Sequence, residues 1–397
     1  MGTITDKVAI VGMGCTKFGE NWDKSRDDMI IEAVYEALED AGIELQDIEA
    51  GVVGTHLSGL TAACLAEPLQ WDNVPISRVE NNCASGSEAF RFGCFSVASG
   101  MYDKVLVVGF EKCKDTGVGS LSWPSGIGTH PQLGFVSAPA GFAMSAVRYF
   151  HKYGLSLEEG KKTIAKIAVK NHQNGALAPK AHFRREVTLE QVINAPIIAW
   201  PLGLFDCCPT TDGAAAAIVT RADLAKNLRD DYILVKGLGL AIGRIDDYFG
   251  KARGKETDYT YWIETDAAAR QAYEQARISD PRREISIAEV HDCFTITELI
   301  NYESLWFCPQ GKGREDVDAG TFAIEGELPV NTDGGLKAFG HPIGASGIRM
   351  IYEVYKQLQG KAGPRQIKNP KLGLTHCQGG NPTAGFQTSV QVFGTRE

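Results

Sequence analysis

Apolar and polar positions along the 397-residue chain follow two periods, one typical of strands and one of helices. Short apolar runs predict strands at residues 8–14, 48–54 and 103–109, and again at 232–240, 285–290 and 371–376. Apolar positions three and four apart predict helices at residues 29–42 and 88–99, and again at 266–278 and 348–358. Because the elements occur twice in the same order, the pattern predicts a duplicated α/β unit.

Residues 113–200 interrupt this repeat. A turn-rich stretch at 120–131 is followed by helical spacing at 142–153 and 157–175. A long insertion in a compact unit commonly forms a lid or a pocket wall. Four basic residues cluster near its end, at Lys180, His182, Arg184 and Arg185. They form either a solvated charged face or a contact for phosphate groups.

Composition narrows the class of protein. The chain is 44% apolar and 22% charged, and it lacks an apolar run of about 18 residues, so we expect no membrane span. Its net charge of −9 argues against nucleic-acid binding, and an anionic substrate would need a local basic patch. The first residues lead directly into a strand, which predicts no signal peptide and a cytoplasmic protein.

Glycines and cysteines exclude two other kinds of site. Gly12 and Gly14 end the first strand, but the third glycine of a dinucleotide fingerprint does not follow at the usual spacing, so a tight turn is the better interpretation. None of the ten cysteines forms a C-x-x-C pair, which argues against a structural zinc site or a redox dithiol. Their scatter is typical of reduced thiols.

Cys83 is the first candidate for chemistry. Small residues at 84–87 follow it and a helical pattern comes next, so Cys83 lies at the start of a helix. Free backbone N–H groups and the positive end of the helix dipole favour a thiolate there, which predicts a lowered pKa and a nucleophile. The alternative is a buried, inert cysteine.

Three further residues lie at loop positions of the repeat. His291 follows the strand at 285–290, His341 lies in a glycine-rich turn, and Cys377 follows the strand at 371–376. Each also has a purely structural explanation: His291 could form a hydrogen bond in the core, His341 could cap its turn and Cys377 could pack. Strand ends are, however, where alternating α/β folds place ligands. Their occurrence at equivalent ends of a duplicated unit predicts one site at the seam between the halves.

The order of these motifs resembles the thiolase superfamily over essentially the whole chain. The matching stretches are Cys-Ala-Ser-Gly at 83–86, Asp-Gly-Ala-Ala at 212–215, His-Asp-Cys-Phe at 291–294, Asn-Thr-Asp-Gly-Gly at 331–335, Gly-His-Pro-Ile-Gly-Ala-Ser-Gly at 340–347 and Cys-Gln-Gly at 377–379. The His-Asp-Cys-Phe form is similar to the sterol-carrier-protein branch and its bacterial and archaeal relatives.

The resemblance implies a thiolase fold, in which duplicated βαβαβαββ halves form an α-β-α-β-α layered sandwich with an inserted loop domain. The expected boundaries are residues 1–115 plus 201–228 for the N-terminal half, 116–200 for the insertion and 229–397 for the C-terminal half. A homodimer is also implied.

Roles in catalysis are implied position by position. Cys83 would attack the acyl carbonyl and carry the acyl group as a thioester. His341 would take the Cys83 proton, and Cys377 would move the proton to or from the substrate α-carbon or the thiol of coenzyme A. His291, with a water, would stabilise the enolate oxygen. The N–H groups of Cys83 and Gly379 would form the oxyanion hole. Coenzyme A enters as substrate, with no covalent cofactor and no metal in this chain.

Three functions remain open. The first is thiolysis of a 3-oxoacyl-CoA or the reverse Claisen condensation, and the second is a biosynthetic condensing enzyme that makes acetoacetyl-CoA. The third is a non-catalytic lipid carrier or scaffold, which would predict a damaged quartet. Met144, Phe294 and Phe339 are the expected substrate contacts. Together with Phe142, Tyr149, Phe150 and Trp123 they would suit a bulky or aryl acyl group, unless they only pack the core.

Coenzyme A binding is expected to need help. The insertion is short for a complete cradle around the adenosine phosphates, and only Arg184 and Arg185 stand out as contacts for the cofactor. Relatives of this shortened type often occur with a small zinc-ribbon/OB-fold protein that helps to bind acyl-CoA. The resemblance therefore implies such a partner. Asn381 and Pro382, where many thiolases have more glycine, set the last loop apart.

Overall fold

The computed structural model describes residues 3–116, 137–243, 251–252, 255–256, 259–382 and 385–396, so Trp123 and the stretch at 120–131 lie outside it. The strands are β1 (Val8–Cys15), β2 (Ala50–Gly54), β3 (Ile76–Val79), β4 (Lys104–Lys112), β5 (Ile197–Ala199), β6 (Leu202–Gly203), β7 (Asp212–Arg221), β8 (Ile233–Ile242), β9 (Lys251–Ala252), β10 (Lys255–Glu256), β11 (Ile287–Val290), β12 (Leu372–Asn381) and β13 (Gly385–Gly394).

The helices are α1 (Arg26–Ala41), α2 (Ala63–Leu69), α3 (Ser85–Ala98), α4 (Ala138–Lys152), α5 (Leu157–Leu177), α6 (Leu189–Ile193), α7 (Ala222–Ala225), α8 (Ile263–Ala276), α9 (Pro281–Glu284), α10 (Thr295–Ser304), α11 (Gly313–Ala319), α12 (Gly335–Ala338) and α13 (Ile343–Leu358). Each predicted strand and helix is present, with ends shifted by a few residues. Within the described ranges, no helix combines the length and apolar character needed to span a bilayer.

The sheet shows the duplication directly. Nine strands pair in the order β11-β12-β13-β8-β1-β7-β4-β2-β3. Outward from the centre, β1-β7-β4-β2 in the first half corresponds to β8-β13-β12-β11 in the second. The last two strands of each series pair in parallel, and the others are antiparallel. The repeat is therefore confirmed. A short antiparallel pairing of Ala9 with Leu234 and Ile10 with Ile233 joins the two halves.

Helices form layers on both sides of this sheet. Alternate residues of β4 point to opposite faces: Val105 and Val107 pack in a core with α3 and α13, and Leu106 and Val108 pack in a core with α1. Helix α13 contacts β4 and β7 of the first half and also β11 and β12 of the second, while α8 covers β8 and β13. The central position of α3 and α13 and the outer position of α1 and α8 give the expected layered α/β sandwich.

Glycines on the first strand of each half allow the outer helices α1 and α8 to pack closely against the sheet. A Cβ atom at Gly12 would lie 2.3 Å from the carbonyl oxygen of Ala37 in α1, and Gly14 is equally tight. In the second half, a Cβ at Gly239 of β8 would lie 1.9 Å from the carbonyl oxygen of Ala268 in α8. Gly12 and Gly14 therefore lie inside β1 and serve close helix–strand packing, so the expected tight turn is wrong. The same spacing recurs at the equivalent place as Gly237 and Gly239.

The central helices cross at small residues. A Cβ at Gly86 in α3 would lie 2.4 Å from the carbonyl oxygen of Gly344 in α13, and one at Gly347 would lie 2.4 Å from the backbone nitrogen of Ser87. Both helices begin earlier than residues 88 and 348, because these small residues are helical and not part of a turn. The crossing brings together the segments that precede the two helices, which carry Cys83 and His341.

We expect Gly86→Ala to lower the free energy of unfolding by about 1–3 kcal/mol, because the added methyl group meets backbone that cannot move aside. Urea denaturation followed by circular dichroism measures the change. Gly19→Ala is the matched control: its Cβ would meet its nearest neighbour at 3.5 Å, and its φ is not positive. Equal stability of the two variants would contradict the tight crossing.

The helices of the insertion pack on the second half. Phe142, Tyr149 and Phe150 of α4 and Ile164 of α5 share one hydrophobic core with Leu299 of α10. The helices predicted at 142–153 and 157–175 are therefore present as α4 and α5. The exact boundaries of the halves and the insertion stay a prediction.

Candidate active site

Cys83 lies in a tight turn between β3 and α3. Asn82 has a left-handed φ of 52°, and the N–H groups of Ala84 and Ser85 donate to the carbonyl oxygens of Asn81 and Asn82. These bonds fix Cys83 two residues before the first residue of α3. Its side chain is buried, with 8% of the residue exposed.

Burial controls the protonation of this thiol. Loss of water raises the pKa of Cys83 well above its usual value, and the neighbouring thiol of Cys377 acts in the same direction. The expectation of a lowered pKa from the helix N-terminus is therefore wrong, because Cys83 is buried and the neighbouring thiols and Glu80 disfavour its thiolate as well. Cys83 is a neutral thiol at neutral pH and needs a base to become a nucleophile.

His341 is placed and polarised by its own turn. Its Nδ1 lies 2.7 Å from the hydroxyl oxygen of Ser346, and that hydroxyl donates to the carbonyl oxygen of Pro342 at 2.9 Å. Since the hydroxyl proton is used there, we assign the ring proton to Nδ1. The buried Nε2 has no hydrogen-bond partner among the described residues. Burial lowers the pKa of His341 to about 3, so the ring is neutral and Nε2 is a free acceptor.

His291 follows β11 and is fixed through its backbone. Its carbonyl oxygen accepts from the side-chain amide of Asn301 at 2.8 Å, and its N–H donates to Nδ1 of His376 at 3.4 Å. His376 then carries its proton on Nε2, 3.0 Å from the hydroxyl of Thr265. Burial, with a smaller contribution from His341, holds the pKa of His291 well below its usual value.

The four predicted side chains converge on one place. Donor atoms of Cys83, His291 and His341 lie within 4.8 Å of one another, and the two imidazole rings are perpendicular with centroids 5.3 Å apart. The Cys377 thiol donates to the carbonyl oxygen of Cys83 at 2.9 Å and lies 3.8 Å from Nδ1 of His291. Burial raises the pKa of Cys377 to about 12. Two neutral thiols thus face two neutral imidazoles.

Gly379 lies against the backbone of the Cys83 turn. A Cβ atom there would be 2.3 Å from the carbonyl oxygen of Asn81 and 2.9 Å from the backbone nitrogen of Cys83. Only glycine fits this approach without displacing backbone. The backbone segments of Cys83 and Gly379 are therefore neighbours at the site.

Two family descriptions match the chain. Residues 8–223 match "Thiolase, N-terminal domain", and residues 251–394 match "Thiolase C-terminal domain-like".

The chain belongs to the thiolase family.

Its relatives agree over nearly the full length. An acetyl-CoA acetyltransferase of Methanothermobacter thermautotrophicus is 39% identical over 394 residues, covering 97% of this chain and 99% of the relative. Sterol carrier protein 2 of Oryctolagus cuniculus is 33% identical over 421 residues, covering 98% of this chain and 74% of that protein. A solved "Ltp2-ChsH2(DUF35) aldolase" is 26% identical with a TM-score of 0.81, covering 99% of both chains. This thiolase is thus an acyltransferase of the sterol-carrier-protein branch.

The predicted substrate contacts of the thiolase have different surroundings. Phe294 is fully buried and stacks on Phe142 with ring centroids 4.7 Å apart. Phe339 is also buried, with its ring edge-on to Phe18 at 5.1 Å. Met144, in contrast, lies on the outer side of α4 with 43% exposure. The structure places the two phenylalanines in the core and the methionine at the surface.

The predicted coenzyme A contacts lie on an exposed loop beside the His341 turn. Arg184 and Arg185 are both exposed. The loop is held by backbone bonds from His182 to Phe339 and from Phe183 to Ala338, each 2.9 Å long. The two cations therefore lie within a few residues of chain segments that lead directly into the site.

Sequence reasoning missed the residues that hold the imidazoles. In the sequence, Ser346 is one residue of the motif at 340–347 and His376 is the last residue of the strand predicted at 371–376, and neither stands out as a partner of a histidine. Asp292 contacts backbone instead of an imidazole: its carboxylate accepts from the N–H groups of Leu336 and Lys337 at 2.6 and 3.2 Å, which ties the loop after His291 to α12. The signal for Ser346 was its position in the first turn of a helix that directly follows His341.

Proposed function

We propose that this thiolase catalyses the reversible thiolytic cleavage of a 3-oxoacyl-CoA by coenzyme A through an acyl-enzyme on Cys83. The convergence of Cys83, Cys377, His291 and His341, with Nε2 of His341 unpartnered among the described residues, carries the proposal. A carrier or scaffold would have no need of this intact set of groups.

The first half-reaction transfers the acyl group to the enzyme. Nε2 of His341 takes the proton of the Cys83 thiol, and the thiolate attacks the 3-oxo carbon. Backbone N–H groups of Cys83 and Gly379 stabilise the oxyanion. The bond between the α-carbon and the 3-oxo carbon then breaks, and its electrons form an enolate whose oxygen faces His291. The Cys377 thiol protonates the α-carbon, which releases acetyl-CoA and leaves a Cys377 thiolate.

The second half-reaction restores the enzyme. The Cys377 thiolate takes the proton of an incoming coenzyme A, whose sulfur attacks the Cys83 thioester. As the tetrahedral intermediate collapses, the Cys83 sulfur leaves and takes its proton back from His341. Both directions run, because the leaving groups are thiols of similar basicity. Each charge forms beside a partner in a buried site, where electrostatic attraction is stronger than in water.

A thiolysis assay tests this function. Purified protein is incubated with acetoacetyl-CoA, longer linear, branched and aryl 3-oxoacyl-CoA, and loss of the 3-oxoacyl thioester is followed with and without coenzyme A. The names of the archaeal relatives favour acetoacetyl-CoA. The aromatic residues of α4 pack in the hydrophobic core, so they give no support to a bulky or aryl group, and the panel has to decide between the substrates. Cleavage that requires coenzyme A supports the proposal. Absence of cleavage across the panel, also with the partner present, would refute it.

The aldolase among the similar structures gives a second candidate. Aldol cleavage would act on a 3-hydroxyacyl-CoA and would not consume coenzyme A. It also needs no sulfur nucleophile, so it leaves Cys83 and Cys377 unexplained. Product analysis with a 3-hydroxyacyl-CoA and no added coenzyme A separates the two reactions.

A small zinc-ribbon/OB-fold partner is part of the proposal. Support comes from the similar Ltp2-ChsH2(DUF35) aldolase, from the short insertion and from the net charge of −9 of this chain. We expect such a protein to copurify with the thiolase and to lower the KM for acyl-CoA. Full activity and tight coenzyme A binding by this chain alone would count against the partner.

Two features support a homodimer. Strand β3 is the last strand of the sheet, so one of its edges pairs with no described strand. The adjacent helix α3 exposes Phe92 and Phe95, and Met101 just beyond it is 72% exposed. An apolar helix face beside an open strand edge fits a second copy of the chain. Sedimentation analysis at several protein concentrations tests this.

We expect the double variant Arg184→Ala/Arg185→Ala to raise the KM for coenzyme A by about fivefold with little change in kcat, since exposed charge pairs each contribute up to about 1 kcal/mol. Steady-state kinetics at two salt concentrations measures the effect. Arg283→Ala removes an 82%-exposed side chain and is the control. Dephospho-CoA should show a smaller difference if the pair contacts the 3′-phosphate. An unchanged KM would exclude these contacts.

A further inference from the structure

The catalytic side chains also form a donor set for a metal ion. The Cys83 sulfur and one ring nitrogen each of His291 and His341 lie within 4.8 Å of one another, and the three residues are buried. One thiolate and two imidazoles is a combination that binds Zn²⁺ and chemically similar divalent cations. The donors come from three distant segments, so a search for C-x-x-C spacing cannot find them.

The hydrogen bond at Nδ1 of His341 is of the kind found in metal-bound histidines. Metal-bound histidines almost always donate their other ring N–H to an oxygen, which fixes the ring and its tautomer. Here Nδ1 of His341 is held by Ser346, and Nε2 is buried without a partner among the described residues. Tetrahedral zinc would require the donors to approach to about 3.5 Å from one another. The separations in the structure, at most 4.8 Å, exceed this by no more than about 1.3 Å.

We propose that Zn²⁺, or a divalent cation of similar ligand preference, binds Cys83, His291 and His341 and reversibly blocks the reaction. The Cys83 thiol gives its proton to solvent, and the sulfur donates an electron pair to the metal. No oxidation or reduction is involved. The bound ion occupies both the nucleophile and its base, so thiolysis stops until the metal is removed. The ion is an inhibitor here and not a cofactor of the reaction.

The direct test uses the chain alone, so that zinc in a partner protein does not contribute. Co²⁺ is added as a spectroscopic probe, and ZnCl₂ is titrated by calorimetry. We expect one ion per chain and a sulfur-to-cobalt charge-transfer band. Cys83→Ser and Cys83→Ala should lose the band, and His341→Ala should weaken zinc binding by at least about tenfold. Cys207→Ser, which removes a half-buried thiol elsewhere, should retain both signals.

Two further measurements distinguish failure of the zinc proposal from failure of the proposed thiolase function. Zinc should slow alkylation of Cys83, read by mass spectrometry, even if the protein cleaves no 3-oxoacyl-CoA. Where thiolysis is observed, zinc should inhibit it and a chelator should restore it. Absence of the cobalt band in the wild-type protein, an unchanged zinc affinity in the Cys83 variants, or binding that leaves thiolysis unaffected would each overturn the proposal.

Discussion

Cys83→Ala is expected to lower thiolysis by on the order of 10⁴-fold, because it removes the sulfur that we propose forms the acyl-enzyme. The remaining residues of the site would still bind the substrate, so KM should change far less than kcat. Steady-state kinetics with the best substrate of the panel gives both values. In parallel, mass spectrometry after incubation with acetyl-CoA or acetoacetyl-CoA should show an acyl adduct on the Cys83 peptide of the wild-type protein only.

Cys83→Ser tests the requirement for sulfur at that position. It keeps a nucleophilic atom in the same turn, but an oxygen ester is a poor match for exchange with a thiol, and the hydroxyl is a far weaker acid. We expect activity close to that of the alanine variant. Cys94→Ser is the matched control, because Cys94 is also a buried cysteine. It lies towards the far end of α3, away from the turn that carries Cys83. An acyl adduct on a cysteine other than Cys83 would contradict the assignment.

The fold followed from the sequence because its periodicity repeats. Strand and helix patterns appear twice in one order, and the sheet has the same strand order in both halves. What periodicity could not show is how the halves meet. The crossing at Gly86, Gly344 and Gly347 depends on contacts between residues more than 250 positions apart, and it extends both helices into stretches that look like turns.

The convergence of the four candidate side chains could be predicted from the sequence, but the electrostatics of the place where they meet could not. Cys83, His291, His341 and Cys377 stood out as reactive side chains at strand ends and turns. The pKa of Cys83 was predicted in the wrong direction, because a local argument from the helix N-terminus contains no information on burial. The same limit hid Ser346, whose importance depends on which nitrogen of His341 it contacts. Desolvation and tautomers are properties of the assembled site.

Because the Cys83 thiol and the His341 imidazole are both neutral, we expect His341 to act as the base that deprotonates Cys83. A thiol whose pKa is raised by burial does not ionise by itself at neutral pH, and the imidazole beside it is free to accept its proton. We therefore expect His341→Ala to lower kcat by on the order of 10³-fold, within the usual range for loss of a general base. Rapid-quench measurement of Cys83 acylation should show that this step is the one slowed.

The proposed role of His341 depends on its tautomer, which Ser346 controls. Ser346→Ala leaves the imidazole in place but removes the acceptor that holds its proton on Nδ1, so Nε2 is no longer reserved as the base. We expect a smaller loss in kcat, about tenfold, with KM little changed and with recovery in Ser346→Thr. The exposed His151 of α4 provides the control His151→Ala. Acylation of Cys83 at the wild-type rate in His341→Ala would show that another group takes the proton, and a loss in Ser346→Ala that appears only in stability would show that the hydroxyl merely supports the turn.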